Sequence, residues 1–302
     1  FDGWTWRNPP LPGTGIVRSL QVDDDGRIWL GAGNTFGEVV MDDSGKLTFH
    51  SISERLGIDR PLAGIIYKIL GTEEAVLFAS ESHVHIYFPD EGRLSTSHFD
   101  SQIYAFASQG ELYVSGERQL FRWNGDGFEG IPLPTREQDR TTLFHWRGPN
   151  GGELLIDHQG VHHATGSEFR LLTAFDEALR DDFALLDSVF ADDQTIALST
   201  SHHGTLLIDL QGQLIERIIP ENYGPIRHIT RVVPGADGAL WLLTRKFVVR
   251  VEADWGRRSL HYKLGYPNYQ LMESTSHGGL LYFAGEQGLH RLAPATSGKA
   301  VP

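Results

Sequence analysis

Seven segments of roughly forty residues repeat one pattern along this chain, and the last of them is short by one element. Each holds a β run ending at a polar turn, a second run, a short loop, a third run, then a short fourth run and a break in Pro, Gly or Asp. Fourth runs occur at 47–52, 94–99, 128–133, 169–175, 214–219 and 260–264. The set at 271–292 stops after three runs, while the chain opens on an isolated run, Trp4 to Trp6, in the place a fourth would occupy. A pattern whose end is completed by its beginning predicts a closed ring.

The second run of each segment carries the repeat most clearly. Gly26-Arg27-Ile28-Trp29, Gly110-Glu111-Leu112-Tyr113, Gly238-Ala239-Leu240-Trp241 and Gly279-Leu280-Leu281-Tyr282 each place an aromatic three residues after a turn glycine, with weaker copies at 72–77, 151–156 and 192–197. The glycine supplies the positive φ of a tight hairpin, and strand alternation points the aromatic between stacked sheets. Short strands also build sandwiches and single barrels, but four strands per roughly forty residues is the period of a propeller blade. A linear solenoid would need polar terminal caps, whereas the first strand here carries Trp4 and Trp6. The expected fold is therefore all-β: a seven-bladed β-propeller of four-stranded blades, its N-terminal strand closing the last blade. It forms one domain over 1–302, with blades at 8–52, 53–100, 101–134, 135–175, 176–220, 221–267, and 268–292 plus 3–7. Helix-period patterning is confined to 176–186 and 53–57.

Charge and composition narrow the function classes. With 39 acidic against 26 basic residues, a formal charge of −13 opposes condensation on nucleic acid or an anionic leaflet. The chain has no cysteine, which excludes disulfides and thiolate chemistry, and its apolar residues never form a run long enough to span a bilayer. It begins at Phe1 with no charged-then-apolar leader, as a domain of a longer protein or a processed product does.

The stretch from Val17-Arg18-Ser19-Leu20 through Asp23-Asp24-Asp25-Gly26 and Ile28-Trp29-Leu30-Gly31 to Ser44-Gly45-Lys46-Leu47 resembles the two-component regulator propeller repeat. That pattern runs V-x-S-[IL], D-x-x-G, [LI]-W-[IV]-G-T and T-G-x-[FL]. A second copy spans 229–241, and Gly288-Leu289-His290-Arg291-Leu292 is similar to the family's third strand. The resemblance implies an extracytoplasmic sensing domain of a bacterial receptor, periplasmic or extracellular, held to a membrane only by segments outside this chain and using no cofactor. The sequence is also similar to virginiamycin B lyase, a seven-bladed propeller whose chemistry lies in a histidine pair within P-H-[AG]-I motifs, an acid and a magnesium ion. Its nearest counterpart here is Pro225-Ile226-Arg227-His228-Ile229, and the following segment offers Tyr269-Gln270-Leu271 in place of the second histidine.

In a propeller, the hairpins joining second to third strands and the links between blades converge on one mouth of the central channel. The candidate ligand-binding residues there are Arg60, Arg118, His158, His202, His203, Tyr223, Arg227, His228, Arg245 and Tyr269. Cationic side chains gathered at one mouth of an acidic molecule focus positive potential and suit a carboxylate or sulfate ligand. Any one of them read alone is an ordinary solvated loop tip. Adjacent histidines, as in His162-His163 and His202-His203, point to opposite faces of a strand, so neither pair chelates a metal by itself. Asp23-Asp24-Asp25 and Asp192-Asp193 read as turns, and no G-x-S-x-G, phosphate-loop or H-E-x-x-H motif occurs. Trp29, Tyr113, Trp241 and Tyr282 read as core between blades, while Trp255 with Arg257 and Arg258 falls in a turn on the opposite face.

The expected function is noncatalytic binding of a small molecule or oligosaccharide, with no catalytic residue, metal or nucleic-acid partner. A lyase-like enzyme and a protein-interaction scaffold are the alternatives, and a homodimer of the longer receptor stays open.

Overall fold

Asp23 shows how the repeat makes its first hairpin. Its carboxylate accepts hydrogen bonds from the Arg27 amide (2.8 Å), the Arg27 Nε (2.9 Å) and the Trp29 indole Nε1 (3.0 Å). One side chain thus closes the turn, pairs a cation and satisfies the polar end of the aromatic on the next strand. Gly26, at φ 80°, takes the left-handed position of that turn. With its N–H satisfied, Trp29 is buried to 1 % exposure and meets Phe78 and Tyr87 edge-on, at centroid distances of 6.3 and 6.1 Å. The aspartate, glycine and tryptophan of the repeat act as a single device: turn, cap and contact with the next sheet.

The computed structural model describes residues 16–42, 46–58, 64–108, 110–116, 119–131, 144–147, 153–165, 168–176, 180, 185–218, 229–235, 238–244, 248–251, 259–260, 271–277, 280–285 and 288–292. The first sheet comprises β1 (Val17–Val22), β2 (Ile28–Ala32), β3 (Thr35–Met41) and β4 (Leu47–Ser51), and a short helix, α1 (Ile52–Arg55), follows it. The second comprises β5 (Lys68–Gly71), β6 (Val76–Ala79), β7 (His83–Phe88) and β8 (Arg93–His98), and the third β9 (Tyr104–Ser108), β10 (Glu111–Ser115), β11 (Leu120–Trp123) and β12 (Phe128–Ile131). The fourth holds β13 (Phe144–Arg147), β14 (Glu153–Asp157), β15 (Gly160–Thr165) and β16 (Glu168–Ala174), and the fifth β17 (Leu185–Asp192), β18 (Thr195–Thr200), β19 (Thr205–Asp209) and β20 (Leu214–Ile218). The sixth holds β21 (Ile229–Pro234), β22 (Leu240–Thr244), β23 (Val248–Val251) and β24 (Ser259–Leu260), and the last β25 (Leu271–His277), β26 (Leu280–Gly285) and β27 (Gly288–Leu292). Strand order follows chain order in every sheet, with antiparallel ladders such as β1–β2, β2–β3 and β3–β4.

Two expectations are corrected. Among the described residues six four-stranded blades stand where seven were expected, because 271–292 supplies only the three-stranded sheet β25-β26-β27. The run assigned to complete it, Trp4 to Trp6, lies outside the described residues. The helical reading of 176–186 gives way at its end, where Leu185 and Leu186 belong to β17; pairing with β18 overrides the local period. Arg180, whose amide donates to the Asp176 carbonyl at 2.9 Å, keeps one helical bond there. The helix expected at 53–57 is α1, capped by Ser51, which accepts from the Glu54 amide at 3.1 Å.

The described chain divides into two compact units, 1–96 with 233–302, and 97–232. In the first, Trp29, Phe36, Ile52, Ile66, Ile69, Val76, Phe78 and Tyr87 fill the space between the first and second sheets. A second cluster, Val17, Leu20, Leu30, Ala32 and Val39, is joined by Tyr282 of the last sheet, so the last sheet packs against the first. In the other unit a single core runs from Phe106 and Tyr113 through Leu154, Leu155 and Ile156 to Ile196, Leu198, Leu206 and Ile208. Trp29, Tyr113 and Trp241 are all buried, as their equivalent strand positions predict, and Tyr282 is half-buried.

Gly31 marks a tight approach between the first sheet and the link into the second. A Cβ on it would lie 2.7 Å from the Ile66 Cβ, inside van der Waals contact. Gly31→Ala is therefore expected to lower stability by about 1–3 kcal/mol through overpacking. Gly71→Ala, where a Cβ would meet nothing within 4 Å, should change it by no more than about 0.5 kcal/mol. Urea denaturation of both variants checks the pair.

Candidate functional site

One edge of each sheet gathers the hairpins between second and third strands together with the links between sheets. The Gly33 amide, in the β2–β3 hairpin, donates to the Ile16 carbonyl at the start of β1 (3.1 Å), and the Phe175 amide, leaving β16, donates to Gln159 in the β14–β15 hairpin (2.9 Å). The opposite edge holds the remaining hairpins, and acids concentrate there. In the first unit that edge carries Asp23, Asp24, Asp25, Asp42, Glu73, Glu74, Asp90 and Glu91 against Arg27, Lys46 and Arg93. In the second unit it carries Glu111, Asp126, Asp192, Asp193 and Asp209. Among the described residues, the second-to-third-strand hairpins of the link edge carry Glu81 as their one solvent-facing acid, and the links add Glu54, Asp100 and Asp176. An anionic molecule meets less repulsion at the link edge of either unit.

The first strands of three sheets are bulged at that edge. Val17 pairs with Ala32 and Ser19 with Gly31, leaving Arg18 as the extra residue; Leu186 in β17 and Met272 in β25 occupy the same position. In β1 and β17 the residue after the bulge makes a buried polar contact with the element that follows its sheet. Ser19 Oγ donates to the Ile66 carbonyl at 3.0 Å, and Asp187 Oδ2 accepts from the Val232 amide at 3.2 Å. Arg231 Nη1 donates to the carbonyl of Leu186 itself, at 3.1 Å, and Ser199 Oγ, on the strand paired with β17, donates to Ile229. A bulge re-aims a side chain while the ladder continues on either side.

Three of the sequence-predicted binding residues are described. His158 sits half-buried in the β14–β15 hairpin above Asp157, whose Oδ1 accepts from the Gln159 amide (2.7 Å), the Gly160 amide (3.3 Å) and His162 Nε2 (2.9 Å). That carboxylate is fully buried and braces the hairpin from beneath. His202 is exposed, with Ser201 Oγ 2.9 Å from its Nδ1. His203 is drawn to its own sheet: Arg217 donates through Nη2 to its Nδ1 (2.8 Å) and through Nε to its carbonyl (3.0 Å). An arginine has only donors, so His203 Nδ1 is the acceptor and the ring proton of the neutral form sits on Nε2. His202 and His203 thus differ in exposure and partners. Arg60, Arg118, Tyr223, Arg227, His228, Arg245 and Tyr269 lie outside the described residues, as do Trp255, Arg257 and Arg258. Among the described residues, no group of three His, Asp or Glu side chains is placed to share a metal ion.

Two link-edge residues escaped the sequence reading. Arg18 is the x of the V-x-S strand motif, the bulge position. Tyr67 lies in the link from the first to the second sheet; it is 41 % exposed, and its hydroxyl donates to Glu81 Oε1 at 3.2 Å. Partial burial raises the pKa of the Tyr67 phenol above 10, the Glu81 charge and hydrogen bond raise it further, and Arg18 opposes the shift. Because the folded pKa lies above the unfolded one, the stabilisation is complete below the ordinary tyrosine range and is lost as pH rises through the raised value. A spectrophotometric tyrosinate titration should show a late-ionising phenol that disappears in Tyr67→Phe and moves to lower pH in Glu81→Gln.

The first repeat combines a bulged V-x-S strand, an aspartate-capped turn and a buried tryptophan two residues before a glycine with no room for a side chain. Residues 10–34 match the two component regulator propeller family. No protein of curated function matches the sequence. Among solved structures, a catalytically inactive virginiamycin B lyase from Staphylococcus aureus with quinupristin superposes with a TM-score of 0.71 at 14 % identity, covering 95 % of this chain and 98 % of that one. The extracellular domain of the hybrid two component system BT4673 from B. thetaiotaomicron superposes with a TM-score of 0.70 at 12 % identity, over 94 % of this chain and 39 % of that one. PorZ, a surface component of the type-IX secretion system of Porphyromonas gingivalis, gives 0.64 at 12 % identity, over 98 % and 39 %. At these identities the likeness establishes the fold, a β-propeller of four-stranded blades, and the regulator propeller repeat is the sequence motif it shares with a named family.

Proposed function

We propose that this chain is the extracytoplasmic sensing domain of a bacterial signalling receptor, a propeller that takes a small polar or anionic ligand, oligosaccharides included, at its channel mouth. The division of charge carries this reading: acids crowd the hairpins of one edge, while the link edge offers cationic and histidine side chains to an incoming anion. The regulator propeller match and the likeness to the extracellular part of a two component system support the receptor context. Among the described residues no helix is long and apolar enough to cross a membrane, so a membrane anchor would come from elsewhere in a receptor. Candidate ligand contacts are Arg118, Arg227 and Arg245, with His158 and His202 beside them.

In the same reading the ring has seven blades and is one domain. Residues 3–7 supply the fourth strand of the last blade, which already packs against the first. Deleting residues 1–7 should then lower stability by about 3 kcal/mol or more, because an unpaired strand edge and an apolar sheet face become wet. An unchanged melting temperature would count against closure.

Binding is tested by thermal shift against citrate, sulfate and sulfated oligosaccharides, since a ligand that prefers the native state raises its stability by mass action. Arg118→Ala, Arg227→Ala or Arg245→Ala should weaken binding about tenfold, as expected for loss of a charge-assisted hydrogen bond, whereas Arg257→Ala leaves it unchanged. Loss of binding only in Arg257→Ala would place the site on the opposite face.

The likeness to the lyase over nearly its whole length favours one second reading, an enzyme acting at the same mouth. Magnesium-dependent turnover of a streptogramin lactone that vanishes in His228→Ala would establish it in place of the sensor.

A further inference from the structure

Arg217 lays two of its guanidinium nitrogens on a single residue. Its Nε donates to the His203 carbonyl at 3.0 Å and its Nη2 to His203 Nδ1 at 2.8 Å, so the planar fork clamps the tip of the β18–β19 hairpin from β20. The remaining nitrogen, Nη1, stands 3.9 Å from Asp176 Oδ2 in the link from the fourth sheet, outside hydrogen-bond distance. Beneath the clamp the hairpin is closed independently of it. The Thr200 amide and hydroxyl both donate to the Gly204 carbonyl (2.9 and 2.8 Å), and the hydroxyl accepts from the His203 amide at 3.0 Å. Those bonds involve no titratable group. The clamp does, because His203 Nδ1 can accept only while the ring is neutral.

We infer that the contact between Arg217 and His203 is a pH-operated latch on the link-edge hairpin of the fifth sheet, closed while His203 is neutral and opened by its protonation. A proton on Nδ1 turns the acceptor into a donor aimed at another donor, and it sets an imidazolium against a guanidinium 2.8 Å away. The guanidinium has a second partner at hand. A movement of about 1 Å brings it within charge-assisted hydrogen-bond reach of Asp176. The other groups beside the ring do not oppose the exchange: His202, its neighbour in the hairpin, adds charge of the same sign when protonated, and Thr200 of β18 does not titrate. Acid therefore frees the tip while the bonds beneath it hold, and the link edge of the second unit gains a positive charge. The latch follows from the hairpin's own contacts, whichever ligand that edge takes.

Nitrogen-15 NMR of the full chain tests this between about pH 8 and about pH 5, the span over which an imidazole changes charge. At the upper end His203 should show the Nε2–H tautomer, with Overhauser contacts between its ring and the Arg217 side chain. Both should be lost together as the ring takes up its second proton, while the His203 amide stays protected by Thr200. Arg217→Met removes the clamp, so His203 should protonate at higher pH than in the unmodified chain. His203→Asn offers an amide oxygen in place of Nδ1, an acceptor that does not titrate, and should keep Arg217 in contact across the whole range. An Nδ1–H tautomer at the upper end, an Arg217 contact that survives at the acid end, or unchanged protonation of His203 in Arg217→Met overturns the latch. So does loss of the His203 amide's protection together with the contact, which would mark unfolding of the whole hairpin.

Discussion

Contact between one sheet and the link into the next is the constraint on which the rest of the first unit depends. Ile66 packs so closely on Gly31 that no β-carbon fits between them, and Ser19 holds the Ile66 carbonyl from the neighbouring strand. Burying that carbonyl without a partner would cost about 1–3 kcal/mol, so the serine and the glycine serve the same junction, one electrostatically and one sterically. The junction sets where the link runs, and the link carries Tyr67. A related latch, built from Asp187, Ser199 and Arg231, ties the fifth sheet to the start of β21.

This arrangement separates the work of the two edges. The turns at the acidic edge are closed by their own side chains: Asp23 binds Arg27 and Trp29, and Asp42 accepts from the Lys46 amide. Likewise, Asp209 accepts from the amides of Gln211 and Gln213. Much of the negative charge is thereby accounted for as turn chemistry. At the link edge the hairpins are braced from below instead, by buried Asp157 under His158 and by Thr200, which accepts from the His203 amide. That leaves the tips available to present side chains to solvent.

Much of the repeat was legible because its physics is local. A turn glycine followed at a fixed distance by an aromatic is a hairpin followed by a buried ring, and Trp29, Tyr113 and Trp241 lie where that rule puts them. The short helix after β4 was legible for the same reason, since Ser51 caps it from three residues away. Leu185 and Leu186 were misread as helical because their partner strand lies about ten residues further on, and pairing outweighs a weak local period. The contact of His203 with Arg217, which stands across the hairpin on β20, was not legible, because nothing in Ser-His-His-Gly announces it.

The sequence by itself determined the all-β class, the four-stranded unit, the turns and the aromatic core positions, because each follows from alternation and from residues a few places apart. It also marked the V-x-S motif without revealing what the motif does. Only the tertiary structure decided that its middle residue, Arg18, is a bulge, that the serine after it holds the Ile66 carbonyl, and that Tyr67 meets Glu81. Such contacts join residues from separate strands and links, and their geometry depends on how two sheets stack, which no single repeat encodes.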